Sequence, residues 1–464
     1  MKQFLILIYL SLLSITASAQ IQSISSYPVG SVTISPNGLI SGGSDASHST
    51  HNVALGANAL LYNEAAGTDN TAIGYRSLYN NTSGVYNTAN GANSLFNNTM
   101  GSANNAFGSG SLFNNTEGDN NTAAGHVSLY YNTTGAGNTA LGYASLNANT
   151  TGNTNTGVGY RSLWLNTIGS YNVAVGGESL SKNLSGKDNN AVGWKSLYSN
   201  TEGDYNTAMG NQSLRNNISG INNTANGYKA MYSNTTGSHN TALGYTTLYA
   251  NSEGERNTAI GRSSLTANTT GERNTGIGYL ALQSNTTGIR NTALGYDADV
   301  FSGDLTNAIA IGYQAIVNAS NKIRMGNTSI TAADIQVAWN VTSDRRWKEN
   351  IERVPLGLDF VNELKPVSYH RKNNEKPDVE FGLIAQEVEQ TLAKFGFTER
   401  DLGFLDKGPD GYYSVRYNDL ISVLISAIQE QQEVLDTQDK SLSQLNAKLD
   451  RIEAMLISNS SAKK

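Results

Sequence analysis

Apolar residues in the middle of this chain come one or two at a time, at a fixed interval, inside long polar stretches. The unit "NTAIGYRSLYNNTSGVY", residues 70–86, recurs without slip from Asn87, Asn104, Asn121, Asn138, Asn155, Asn172, Asn189, Asn206, Asn223, Asn240, Asn257, Asn274 and Asn291, giving 14 copies in all. A looser copy precedes them at Asn52, one residue out of phase, and a degenerate one follows around residues 308–312. The first position of the unit is always Asn and the fifth always Gly. The third is Ala or Gly. In the first thirteen copies the ninth is Leu or Met, the twelfth Asn and the fifteenth Gly.

A fixed short period signals a repeat architecture. Seventeen residues are too few for a helix–turn–helix unit, and the Thr, Asn and Gly content argues against helix. One Ala and one Leu per unit make a thin inward stripe. Glycine at two fixed places suits tight turns with positive φ. Asn at one register suits stacked amide ladders. The pattern therefore predicts a mainly β fold, a β-solenoid or β-roll with one coil per repeat. At ~4.8 Å per coil, about 15 coils make a rod of roughly 70 Å. No proline stands between Pro36 and Pro355, as uninterrupted backbone pairing requires. So small an apolar share buries little in one chain, and three chains together would share a core and protect sheet edges. A trimer is the expectation.

The pattern changes near residue 340. Residues 343–464 hold 38 of the 68 charged side chains and four of the six prolines. "IERVPLGLDFVNELKPVSYHRK" combines a helical period with a short strand. "VEFGLIAQEVEQTLAKF" reads as a strand entering an amphipathic helix, and "GYYSVRY" as a strand after a Pro-Asp-Gly turn. At the end, Ile421, Leu424, Ile428, Gln431, Leu435, Gln438, Leu442, Leu445, Leu449, Ile452 and Leu456 alternate in steps of three and four. That is a coiled-coil seam with two polar layers, simplest as an oligomerisation device. The expected organisation is a signal peptide over 1–19, an N-terminal segment over 20–51, repeats over 52–312, a neck over 313–342, an α+β domain over 343–418 and a coiled coil over 419–458.

The first twenty residues have a positive start at Lys2, an apolar core and a small-residue cleavage site at Ala17, Ser18 and Ala19. They predict export and cleavage after Ala19. No other stretch approaches the ~20 apolar residues of a membrane span. The net charge of −6 gives no reason to expect a nucleic-acid partner. The absence of cysteine excludes disulfides, zinc–thiolate sites and cysteine catalysis, and the five histidines lack metal-binding spacing, so neither metal nor cofactor is expected.

The junction "VTSDRRWKEN", residues 341–350, is where chemistry is conceivable. A serine hydroxyl needs a base to become a nucleophile. A lysine supplies one in serine–lysine dyads, where burial lowers its pKa. Lys348 is placed to fold back on Ser343 through a tight turn. The nearest carbonyl to the Ser343 hydroxyl belongs to Thr342, so attack there needs no bound substrate and cuts the chain between Thr342 and Ser343. The plain alternative is that Ser343 or Asp344 caps a short helix beginning "RRWKENIE".

"SDRRWKENI", residues 343–351, resembles the start of the endosialidase-type intramolecular chaperone domain, peptidase family S74. The likeness continues through "LKPVSYHRK" from Leu364, "GLIAQEVE" from Gly382 and "YNDLISVLISAIQEQ" from Tyr417. The resemblance implies a domain that trimerises at the end of a fibre, guides folding of the preceding β-structure, and then releases itself with a Ser-Lys dyad. It makes Ser343 the nucleophile and Lys348 the general base. It assigns Asp344, Arg346 and Asn350 to shaping the turn, and Gln386 and Glu387 to supporting the site or the trimer contact. More loosely, the repeats resemble the heads of trimeric surface adhesins and phage tail fibres.

The reading is an exported, extracellular or surface-bound homotrimeric fibre with a self-removing assembly domain. Its rival is an adhesive fibre whose C-terminal domain stays attached as a trimer clamp. A third class is a solenoid that binds polysaccharide, a surface glycan or ice, which regular Thr rows on one flat face would favour.

Overall fold

The computed structural model describes residues 40–41, 51–336, 340–372, 379–398, 401–408 and 411–461. The expected signal peptide, most of the segment over 20–51 and the Pro409-Asp410 part of the expected turn lie outside the described residues. The chain divides into two compact units, residues 1–326 and 327–464.

The first unit is a β-solenoid. Three-residue strands, from Val53–Leu55 to Ile323–Met325, stack into an 18-stranded sheet that includes Ile40–Ser41. Ile40–Ser41 pairs antiparallel to Val53–Leu55. The other pairings are parallel. Over the in-phase repeats the register is one period, as where Thr207, Ala208 and Met209 face Thr224, Ala225 and Asn226. The last rung pairs Ile323 with Ile309, so the ladder extends into the segment expected as a neck.

The interior is narrow and mostly amide. In the first thirteen coils the third-position Ala or Gly and ninth-position Leu or Met are buried, together with the Asn at positions one and twelve. Asn206 shows how a first-position amide is satisfied. Its Nδ2 donates to Asn189 Oδ1 at 3.1 Å and to the Gly220 carbonyl at 2.8 Å. Its Oδ1 accepts from the Asn223 backbone amide at 3.0 Å and from Asn223 Nδ2 at 3.2 Å. The twelfth-position row forms a second ladder: Asn217 Nδ2 donates to Asn200 Oδ1 at 2.7 Å and to the Gly220 carbonyl at 3.0 Å. The fifteenth-position carbonyl thus accepts from both ladders and ties them together in each of the first thirteen coils. Buried polar groups are tolerated when satisfied in this way, and each satisfied member depends on the next.

The glycines divide the work differently from the expectation. The fifth-position Gly has positive φ, as in Gly210 at +129°, and a side chain there would meet the Gly227 carbonyl oxygen at 2.6 Å. The fifteenth has no positive φ; a Cβ on Gly203 would run into the Gly220 carbonyl oxygen at 2.5 Å and into both neighbouring Asn amides. Its role is close approach. The left-handed turns fall instead on non-glycine residues at positions seven, nine and seventeen, such as Arg76, Leu78 and Tyr86, and include the β-branched Val127 and Thr246. Each costs about 1–2 kcal/mol. The gain is that Ser77 and Leu78, adjacent in sequence, both turn inward and are fully buried. An extended strand would send one of them outward.

In the second unit a small core of Leu356, Phe360, Val388, Leu392, Phe404, Leu405, Leu420 and Val423 joins helices Leu358–Glu363 and Ala385–Lys394 to the start of a 42-residue helix, Leu420–Ser461. Two short antiparallel pairs flank them, Val367–Tyr369 with Glu380–Gly382 and Leu405–Lys407 with Tyr413–Val415. The Glu430 carboxylate caps the first helix by accepting from the Leu358 amide at 2.7 Å. Gly357 precedes that amide because a Cβ there would collide with the same carboxylate. The long helix buries Leu420, Val423 and Ala427 in its own unit. The nine apolar members of the predicted seam lie on another face, each 45–65% exposed.

The ladders make a position-specific prediction. Asn206→Ala leaves the buried Asn223 amide without its acceptor and should cost about 3 kcal/mol. Asn216→Ala removes only a contact with its half-buried neighbour Arg215, and should stay within about 0.5 kcal/mol. Hydrogen exchange across the flanking coils reads both; equal protection in the two variants would contradict the ladder account.

Candidate active site

The segment from Ser343 to Asn350 is a capped turn. Asp344 is extended at φ −69° and ψ 136°, and its Oδ1 accepts from the Arg346 backbone amide at 2.8 Å. That cap starts a single 3₁₀ turn, Arg345–Trp347. Backbone amides of Trp347 and Lys348 donate to the carbonyls of Asp344 and Arg345, each at 3.1 Å. Lys348 leaves the turn in extended conformation. The chain has then doubled back, and Lys348 Nζ lies 2.7 Å from Ser343 Oγ. A five-residue separation in sequence becomes a hydrogen bond because one tight turn intervenes. The helix-capping alternative and the serine–lysine contact therefore coexist: Asp344 caps, and Ser343 is left for Lys348.

The Arg346 guanidinium grips the same aspartate through Nη2–Oδ2 at 2.7 Å and Nε–Oδ1 at 3.1 Å. These bonds hold the Asp344 carboxyl below the usual carboxylate range, with the guanidinium the largest cause and the backbone amide the next. The pair is solvent-exposed, so its worth lies in geometry more than in stability. Asn350 adopts φ +50° just after the turn, a conformation that Asn accepts more readily than most residues.

Ser343, Lys348 and Thr342 are exposed on the single chain, and so are the apolar Val341, Trp347 and Ile351 around them. Water reaches both the Ser343 and the Lys348 side chain. Gln386 and Glu387 lie in the first turn of helix Ala385–Lys394, Gln386 exposed and Glu387 half-buried. Among the described residues neither hydrogen-bonds to Ser343 or Lys348. The structure thus brings together Ser343, Asp344, Arg346 and Lys348 and leaves Gln386 and Glu387 apart from them. Sequence spacing did not reveal the link of Tyr417, whose hydroxyl accepts from the Leu383 amide at 2.9 Å across 34 residues. No local pattern marks such a pair.

Among the described residues no cluster of His, Asp or Glu is arranged to hold a metal ion, and no helix is long and apolar enough to cross a membrane.

No curated protein matches this chain. Residues 343–397, which begin at the serine of the turn and run through the helix bearing Gln386 and Glu387, match the family model described as chaperone of endosialidase, Peptidase_S74. The chain is a β-solenoid of 17-residue coils followed by a unit that begins with a match to the chaperone-of-endosialidase family model.

Proposed function

We propose that this is an exported, fibre-like protein whose C-terminal unit gathers three chains, guides folding of the solenoid and then cuts itself away between Thr342 and Ser343. The observation that carries the cleavage is the 2.7 Å contact between Lys348 Nζ and Ser343 Oγ. Lys348 is exposed on the single chain, so the step needs assembly to bury it as the neutral amine. Its Nζ then takes the hydroxyl proton as Ser343 Oγ adds to the Thr342 carbonyl carbon. The Thr342–Ser343 C–N bond then breaks, and the proton passes from Lys348 to the leaving nitrogen. The product is an ester joining Thr342 to the Ser343 side chain, with Ser343 now carrying a free amine. Water hydrolyses the ester and leaves a carboxylate on Thr342. Because the scissile bond belongs to the nucleophile's own residue, no binding step is required. The reaction happens once per chain and has no external substrate.

Assembly is supported by the long helix. Its seam, Ile421 to Leu456, is exposed along its length and separate from the face used by its own unit. A matching seam from other copies would cover it as a coiled coil, with Gln431 and Gln438 as polar layers that fix the register. Near-identical coils slip easily, and a parallel β-ladder is slow to nucleate. Holding the chains together at one end raises their effective concentration and aligns them.

A second reading, a solenoid that binds polysaccharide or ice, is favoured by one observation. The second position of the coils places a row of Thr on the outer strand face, from Thr71 to Thr292, interrupted by Asn105, Val173 and Asn190. The fourth-position row beside it varies in size from Ala124 to Phe107, which does not make a flat lattice.

Intact-mass analysis tests the cleavage. Wild type should yield a fragment of 122 residues beginning at Ser343. Ser343→Ala should remain whole, and Lys348→Ala should cut roughly 10²–10⁴-fold more slowly. Asp344→Ala keeps both reacting groups but frees the turn, and should slow cutting without abolishing it. A wild-type chain that self-associates and stays whole would instead make the C-terminal unit a permanent clamp.

A further inference from the structure

The outer face of the solenoid strands carries a property that the coils alone do not require. In the 14 in-phase coils the third residue points inward and the second and fourth point outward. None of these 28 outward side chains is charged. The fourth-position row is largely aliphatic or aromatic, and Phe107, Leu141, Val175, Val192, Met209 and Leu294 are among its exposed members. Charge occurs freely at other positions of the same coils. The fourteenth holds Glu117, Glu202 and Glu253, and the seventeenth holds Asp188, Arg256 and Arg273. One strip of surface along the whole ladder is thus kept free of charge, a Thr-rich row beside a largely apolar one, and depletion of charge around exposed apolar side chains is the composition of an interface core.

Most rings beside this strip stack on one another and so do not form a sugar-binding platform. Tyr143 stacks on Tyr160, and Tyr279 on Tyr296 and Tyr296 on Tyr313, with centroids 5.0–5.5 Å apart. Their faces are spent on one another.

We propose that this strip is the surface that three copies of the same chain turn toward one another about a common axis, parallel and in register. This rests on the assembly reading above and names the solenoid face that takes part. Three arguments select the occupant. A strand three residues wide is about 10 Å across, and 17 rungs at ~4.8 Å span about 77 Å. Their product, roughly 770 Å² per copy, matches the ~800 Å² per partner of a stable interface. A partner must also present apolar side chains at the rung spacing over that length, which a copy of this chain does. Last, the two polar interruptions of the fourth-position row, Asn90 and Asn226, are matched only in register. Asn90 then meets Asn90 of the other copies, and the amides satisfy one another. A shift of one rung sets Asn90 against Ile73 or Phe107 and buries an unpaired amide, as a lone interior Asn does in coiled coils. These residues would fix the register along the solenoid.

Cross-linking tests this on the full chain with Ser343→Ala, which has no native cysteine. Facing sheets lie ~10 Å apart, beyond the ~7 Å Cα reach of a disulfide, so a short bis-maleimide is the probe. Val192→Cys should shift to a cross-linked band, whereas Glu202→Cys, on an exposed position elsewhere in the same coil, should stay single. Mixing differently tagged Val192→Cys and Leu243→Cys chains should give links only between like rungs. If Leu442→Cys on the helix seam cross-links and Val192→Cys does not, the solenoid face is overturned while assembly through the helix stands. If neither cross-links, both fall. Links between unlike rungs would overturn the in-register packing.

Discussion

The paired asparagine ladders are the constraint on which the solenoid depends. A coil with one Leu and one Ala inside cannot hold its shape by burial. Each coil also carries two or three left-handed non-glycine residues that oppose folding. What offsets them is a continuous set of interlocked amides, with every Gly220-type carbonyl receiving a bond from both ladders. This interaction has no meaning within one coil. An isolated repeat would leave its Asn groups half satisfied, so the first few coils are costly and each later coil is favourable. The fold is cooperative along its axis and needs a start.

That need connects the two units chemically. The solenoid supplies near-identical steps, and only the few that differ, such as those bearing Asn90 and Asn226, carry information about register. The C-terminal unit supplies a small ordinary core, a capped helix and an exposed seam, all of which form from one short piece of chain. A device that aligns chains and then leaves makes sense where the product is hard to start and stable once made. On the proposed reading, removal of the aligning unit would turn an equilibrium into a one-way step, and the fibre left behind would be held by kinetics.

Much of the solenoid was legible in sequence because its period is unbroken and its interior residue types are nearly fixed. Asn206, Leu214 and Gly210 announce their roles by recurring. The left-handed turns did not, because Arg76, Val127 and Leu78 carry no local signature of positive φ; only stacking on neighbouring coils imposes it. Gly203 was misread for a related reason. A conserved-looking glycine within one chain signals either a special φ or a close neighbour, and the sequence does not separate the two. At the junction, the spacing of Ser343 and Lys348 suggested a contact and Asp344 suggested a cap, as rival readings. The 3₁₀ turn reconciles them, since capping by Asp344 is what returns Lys348 to Ser343. The Leu358–Glu430 cap, 72 residues apart, was invisible because nothing local encodes it.

The central claim is that the C-terminal unit is needed to build the fibre and not to keep it. Refolding measures this most directly. The full-length Ser343→Ala chain and the trimmed wild-type product would each be unfolded in denaturant, diluted, and followed by strand content and oligomer size. The account predicts that the whole chain recovers its assembled state and the trimmed one does not, although the trimmed fibre resists unfolding before denaturation. Efficient recovery of the same assembly by the trimmed chain would contradict it.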